Sequence, residues 1–204
     1  MDYNKIKEGS RKLLTKFLSL SYMEKEEMIK PTIVTFDFDG IQLSIPEKLL
    51  PIFPSNYTYK TFPDNFCGAG DGIGEKLVPD YIFGPTRFLK FIGLNVSIKL
   101  SPACWIHDKD WIVAEPTWEA FGETNDRFHK NLEAIIEAKC KYEWLKARAL
   151  YRPVTYRNAV SIAGKSVFWS LKSAQGFHLP KNAYCHVDIQ GKNLMKQKMK
   201  AGDL

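Results

Sequence analysis

From residue 124 to residue 173, apolar side chains recur at three- and four-residue steps, the period of an α-helix. Phe128, Leu132, Ile135, Ile136, Tyr142 and Leu145 form one stripe, and Thr124 stands where a cap is needed, so a long helix is predicted over 124–150. Pro153 interrupts it. A second helix follows over 154–173, with Tyr156, Val160, Ala163, Val167 and Leu171 on one face. So much helix in a chain of 204 residues makes the class mainly α, and the length suits one domain, or one domain with extensions. A hydrophobic content of 45% is enough for a core of useful size.

The remaining segments are shorter. In TIVTFDFDGIQLSI, residues 32–45, apolar and polar residues alternate on both sides of Asp39-Gly40, which predicts a β-hairpin. Residues 46–66, rich in proline, asparagine and aromatics, read as an irregular connection. CGAGDGIGEKLVPD, from Cys67 to Asp80, is rich in glycine. SPACWIHDKDWIVA, residues 101–114, reads as a helix opened by Ser101 with Pro102 at its first position. Residues 4–22 read as a basic amphipathic helix with Ile6, Leu13, Leu14, Phe17, Leu18 and Tyr22 on its apolar side. The last stretch, GKNLMKQKMKAGDL, is polar and basic and predicts a loose tail.

A formal charge of +6 and a pI near 9.0 favour a partner bearing negative charge. The N-terminal residues MDYNKIKEGSRKLL lack the unbroken apolar core of a signal peptide, and no apolar run is long enough to span a bilayer. The expectation is a soluble protein, retained, released by another route, or carried in a larger particle. Cys67, Cys104, Cys140 and Cys185 fit no zinc spacing and allow three complete disulfide pairings.

Several strings invite a chemical reading. A strand followed by DxDG, as in FDFDG, is how haloacid-dehalogenase phosphotransferases present an aspartate nucleophile. Asp37 and Asp39 are better read as outward carboxylates of a hairpin, because alternation resumes directly after Gly40. The glycines from 68 to 74 lack the apolar strand that a dinucleotide fingerprint needs before it, and AGKS at 163–166 lacks the leading glycine of a phosphate loop. His107 and Asp108 are helical neighbours pointing about 100° apart, so they can serve different partners. Imidazole suits proton transfer at neutral pH. A carboxylate suits a hard cation such as calcium, which also accepts backbone carbonyls from a glycine-rich loop.

Taken in order, CGxG, then CxxHD on a helix, then an aspartate near the start of the next long helix, the chain resembles the secreted phospholipase A2 superfamily. It is most similar to small phage and bacterial members carrying CGxGDGxGEKLVPD and ACxxHD, over about residues 63–140 and more weakly through YRNAVSIAGKSVFW. The resemblance implies two antiparallel helices carrying a His/Asp site beside a glycine-rich calcium loop, preceded by a small hairpin. It implies His107 as general base, oriented by Asp126. It implies a calcium ion held by Asp108 and the carbonyls of Phe66, Gly68 and Gly70, with the Gly68 N–H meeting the oxyanion. A Cys67–Cys104 disulfide would clamp the loop onto the helix, which suits an oxidising compartment, while the missing signal peptide points the other way. The implied substrate is the sn-2 ester of a phospholipid in an anionic membrane surface. Nucleic acid is not an expected partner.

The chain departs from that pattern at several positions. Asp71 stands where a glycine is usual, Trp111 where a tyrosine supports the dyad, and Asp110 adds a charge near His107. Most cysteines of the animal enzymes are missing. A protein that keeps this scaffold but binds lipid or another protein without catalysis is the first rival reading, and a magnesium-dependent phosphotransferase using Asp37 or Asp39 the second. His129, His178 and His186 match no motif, Trp105, Trp118 and Trp169 read as core, and Glu75 and Asp80 read equally as braces of the loop or as members of a solvated turn. The expected division is an extension over 1–62, a catalytic region over 63–150, and a C-terminal helix and tail over 151–204.

Overall fold

The computed structural model of the protein describes residues 30–64, 66–67, 78–82 and 97–187. The amphipathic segment at 4–22, most of the glycine-rich stretch, including Gly68, Gly70, Asp71 and Glu75, and the basic tail lie outside the described residues.

The hairpin forms as its pattern requires. Strands β1 (Ile33–Phe38) and β2 (Ile41–Pro46) pair antiparallel from Ile33↔Pro46 to Phe38↔Ile41. Asp39 and Gly40 between them have φ of 57° and 77°, as a two-residue hairpin turn demands. Both carboxylates serve the turn region: Asp37 accepts from the Gly40 N–H and the Gln42 amide, and Asp39 from the Tyr59 N–H. Phe38, Ile41, Leu43 and Ile45 are buried. A 3-10 helix, Glu47–Ile52, follows. A second small pair, β3 (Tyr81–Ile82) and β4 (Ile98–Lys99), is also antiparallel. Lys99 ties the preceding segment to it, its Nζ donating to the carbonyls of Phe62 (2.6 Å) and Lys60 (3.2 Å) and pairing with Asp64 (3.0 Å).

Helix α1 (Ser101–Val113) begins at Ser101 itself, with Leu100 as its cap residue. Ser101 does not cap. Its Oγ donates to Asp80 Oδ1 at 3.0 Å, while Pro102 occupies the first turn, where no N–H is needed. Helix α2 (Trp118–Lys139) starts six residues before the expected Thr124 and is capped by Thr117, which accepts from the Ala120 N–H. Its stripe extends back to Phe121, which is buried. Thr124 is therefore internal, with its hydroxyl on the Phe121 carbonyl. The chain leaves the helix at Cys140, extended, and re-enters in α3 (Glu143–Ala149), which buries Leu145.

Pro153 does not stand outside a helix but in the first turn of α4 (Tyr151–Ala174). It has no N–H for the Ala149 carbonyl, and its ring crowds that carbonyl, which separates α3 from α4 at Leu150. The buried face of α4 also differs from the expected stripe. Pro153, Tyr156, Gly164, Phe168, Trp169 and Leu171 face inward, and Ala163 is exposed. The bare Gly164 determines this rotation, because a Cβ there would lie 2.4 Å from Cη2 of Trp111.

Helices α1 and α2 run antiparallel: His107 meets Asn125 and Phe128, whereas Trp111 meets Thr124 and Phe121. One core joins the hairpin (Phe38, Leu43), α1 (Trp105, Ile106), α2 (Leu132, Ile135) and α4 (Tyr156). Among the described residues it draws on side chains from both sides of positions 62 and 150. Asn131 fastens hairpin to helix, accepting from the Ser44 N–H (2.7 Å) and donating to the Ser44 carbonyl (2.8 Å). A second cluster gathers Trp111, Phe121, Phe168 and Trp169. The described part is thus mainly helical with a small N-terminal hairpin, and no described helix is long and apolar enough to cross a membrane.

Candidate functional site

Helix α1 is buried on almost every side, and His107 lies in the middle of its buried surface at 4% exposure. Its ring is held between Trp111 and Phe128, with centroids 4.4 and 4.5 Å away. Trp111 is fixed in turn by its indole N–H, which donates to Thr124 Oγ1 at 3.1 Å. A buried polar ring needs partners for its nitrogens. Nε2 lies 2.9 Å from Asn125 Oδ1, and the Asn125 amide nitrogen donates to Ser161 Oγ of α4 at 3.2 Å. Nδ1 points toward Asp108, 3.6 Å from its Oδ1, beyond hydrogen-bond range.

Asp126, the expected orienting residue, does not meet His107. It pairs with Arg157 of α4, Nε to Oδ1 at 2.5 Å, with both side chains about half exposed. Neighbours on a helix diverge by about 100°, so only one of the two can face α1. Asn125 lies four residues after Phe121, three before Phe128 and seven before Leu132, on the buried stripe; Asp126 is one step off it. That register was legible and would have selected Asn125.

Asp108 is the exposed member of the pair, its side chain 44% accessible. It lies four residues after Cys104, hence on the same side of α1. Cys104 is bonded to Cys67, with Cα atoms 5.2 Å apart, so the bridge implied by the family likeness is present. The bridge brings Phe66 and the start of the glycine-rich stretch to the side of the helix that carries Asp108. Asp80 secures the other end, its Oδ1 accepting from the Cys67 N–H (3.2 Å) and Ser101 Oγ (3.0 Å) and its carbonyl from the Leu100 N–H (2.7 Å). A carboxylate and a nearby backbone carbonyl are the donor types that calcium takes. Among the described residues no three His, Cys, Asp or Glu side chains converge, so a cation here would depend on backbone oxygens. Gly68 and Gly70, the other expected carbonyl donors, lie outside the described residues. Cys140 and Cys185 are free thiols.

Two charged groups lie beneath the site, Asp110, whose charge near His107 the sequence already showed, and Lys172, which sequence reasoning passed over. Asp110, fully buried, forms a two-pronged pair with Arg127, Nε to Oδ2 at 2.6 Å and Nη2 to Oδ1 at 3.3 Å. Burial raises its carboxyl above the ordinary value, against the pull of Arg127. Lys172 of α4 is also fully buried, and its Nζ donates to the Ile112 carbonyl at 3.0 Å. Gln175 Nε2 donates to the same carbonyl at 3.0 Å. Burial lowers the Lys172 ammonium to about 7, with Asp110 opposing the shift.

Comparison with known protein families, with curated proteins and with solved structures finds no match for this chain.

Proposed function

We propose that the protein hydrolyses the sn-2 ester of phospholipids with calcium, using His107 as general base. The observation that carries this reading is the conjunction on one helix of a buried imidazole whose Nε2 is engaged by Asn125 and a bridged cysteine one turn upstream, level with Asp108. An imidazole that donates Nε2–H to an amide oxygen keeps its lone pair on Nδ1, on the Asp108 side. A water at Nδ1 loses a proton to it and adds to the ester carbonyl. The tetrahedral adduct collapses, and the same proton passes to the departing alkoxide, releasing a fatty acid and a lysophospholipid. Trp111 and Phe128 hold the ring against rotation and keep bulk water from its faces. The backbone N–H of Gly68 is the proposed donor to the oxyanion. Asp108 and the carbonyls of Phe66, Gly68 and Gly70 would hold a calcium ion, which would supply positive charge where that oxygen becomes negative. The basic chain suits an anionic membrane surface.

A second reading is favoured by Asn125 itself. A neutral amide orients the imidazole but does not stabilise its charged form as a carboxylate would, which suits a scaffold that binds lipid without cleaving it. Fatty-acid release from anionic vesicles separates the two. The catalytic reading expects release that needs calcium and falls by about 10²–10⁴-fold in His107→Gln. Release that survives both chelator and substitution overturns it. Calcium-dependent stabilisation without release selects the binding protein.

A further inference from the structure

Helices α3 and α4 form one kinked helical run, because Leu150 between them keeps helical torsions (φ −65°, ψ −10°) and its N–H bonds the Lys146 carbonyl at 3.0 Å. Along this run Trp144, Arg148, Tyr151, Thr155, Asn158 and Ile162 follow one another at steps of four and three, and all are exposed. Tyr151 (78%), Ile162 (74%) and Trp144 (64%) are the most exposed large apolar side chains among the described residues. The opposite face of α4, with Tyr156, Gly164 and Phe168, is locked into the core, so the stripe cannot turn inward.

Charge says what such a surface meets. From residue 141 to 165 the chain carries six basic residues, Lys141, Lys146, Arg148, Arg152, Arg157 and Lys165, against Glu143 alone. Lys146 is occupied by Glu143 and Glu137, and Arg157 by Asp126. Lys141, Arg148 and Arg152 are exposed and make no ion pair among the described residues. A second copy of this chain would set the arginines against each other. A layer of negative charge over hydrocarbon satisfies both components: arginines meet phosphate, while the indole and phenol rings take the interfacial depth.

We propose that this stripe is the face with which the protein lies on an anionic phospholipid bilayer. It rests on the phospholipid-directed reading above for its biological sense, but its physical claim is separable from catalysis. The test is co-sedimentation of the full chain, in chelator, with vesicles of phosphatidylcholine alone or mixed with phosphatidylglycerol. Wild type is expected on the mixed vesicles and not on the neutral ones. Arg148→Glu with Arg152→Glu should weaken binding by about thirtyfold or more, since each cation near an anionic surface contributes about a factor of five. Trp144→Ala with Ile162→Ser should weaken it about tenfold while leaving helix content unchanged. Equal binding to both vesicle types, unaltered binding by both double variants, or a change of oligomeric state in Trp144→Ala overturns the proposal. Stripe-dependent binding without ester release removes the catalytic reading alone, whereas undiminished cleavage of vesicles by Arg148→Glu with Arg152→Glu removes the docking face alone.

Discussion

At the scale of single residues, Asn125 carries most of the consequence. It is 1% exposed and divides its amide between His107 and Ser161. Asn125→Ala would leave a ring nitrogen without a partner in a place that water does not reach. That loss should cost about 1–3 kcal/mol of stability, read as a lowered urea midpoint. It should also free the imidazole tautomer, which the nitrogen-15 shifts of His107 report directly. An unchanged midpoint together with unchanged shifts would mean that the amide holds nothing. The neighbouring carboxylate of Asp126 cannot substitute, because it is turned toward Arg157.

At the scale of elements, the end of α1 depends on α4. The last carbonyls of a helix lack partners within it, and Ile112 finds two from Lys172 and Gln175. Burial depresses the lysine from 10.5 to about 7. Between those values the unfolded chain holds a proton that the folded chain does not, so unfolding takes up protons and stability rises with pH. Denaturant midpoints should therefore climb from about pH 7 toward about pH 10, and Lys172→Met should flatten the climb. A slope that persists in the variant would place its origin elsewhere. The Asp110 carboxyl is raised by burial against the pull of Arg127, and Lys172→Met separates the lysine's contribution from it.

At the scale of the whole molecule, the Cys67–Cys104 bridge closes a separation of 37 residues and fastens the segment before the glycine-rich stretch to the middle of the core. Removing it with Cys67→Ser and Cys104→Ser should cost about 2–4 kcal/mol. If the proposed cation site exists, loss of the bridge should also abolish any rise of Tm caused by calcium, because the bridge holds Cys67 to the helix that carries Asp108. A full calcium shift in the reduced protein, measured by scanning calorimetry, would dissociate the bridge from the cation.

Some of this was legible from local pattern. Alternation and Asp39-Gly40 specify the hairpin because a two-residue turn needs positive φ at both positions and the chain supplies residues that tolerate it. The helical class follows from period alone, as do the buried positions Phe128, Leu132 and Ile135. Other features depended on which neighbour arrives. Thr117 rather than Thr124 caps α2 because Phe121 finds a buried seat against Trp111 and Phe168. The face of α4 is set by the one position, Gly164, that lets an indole approach its backbone, and no periodicity within α4 records the size of a side chain on α1. The choice of Asn125 over Asp126, by contrast, is contained in the period itself, because Asn125 lies on the stripe of Phe121, Phe128 and Leu132 and Asp126 one step of about 100° off it. Chemical identities and periods are written along the chain; where a helix starts and which face it turns to a given neighbour are settled by packing between helices, since close-packed interiors admit one rotation and exclude the next.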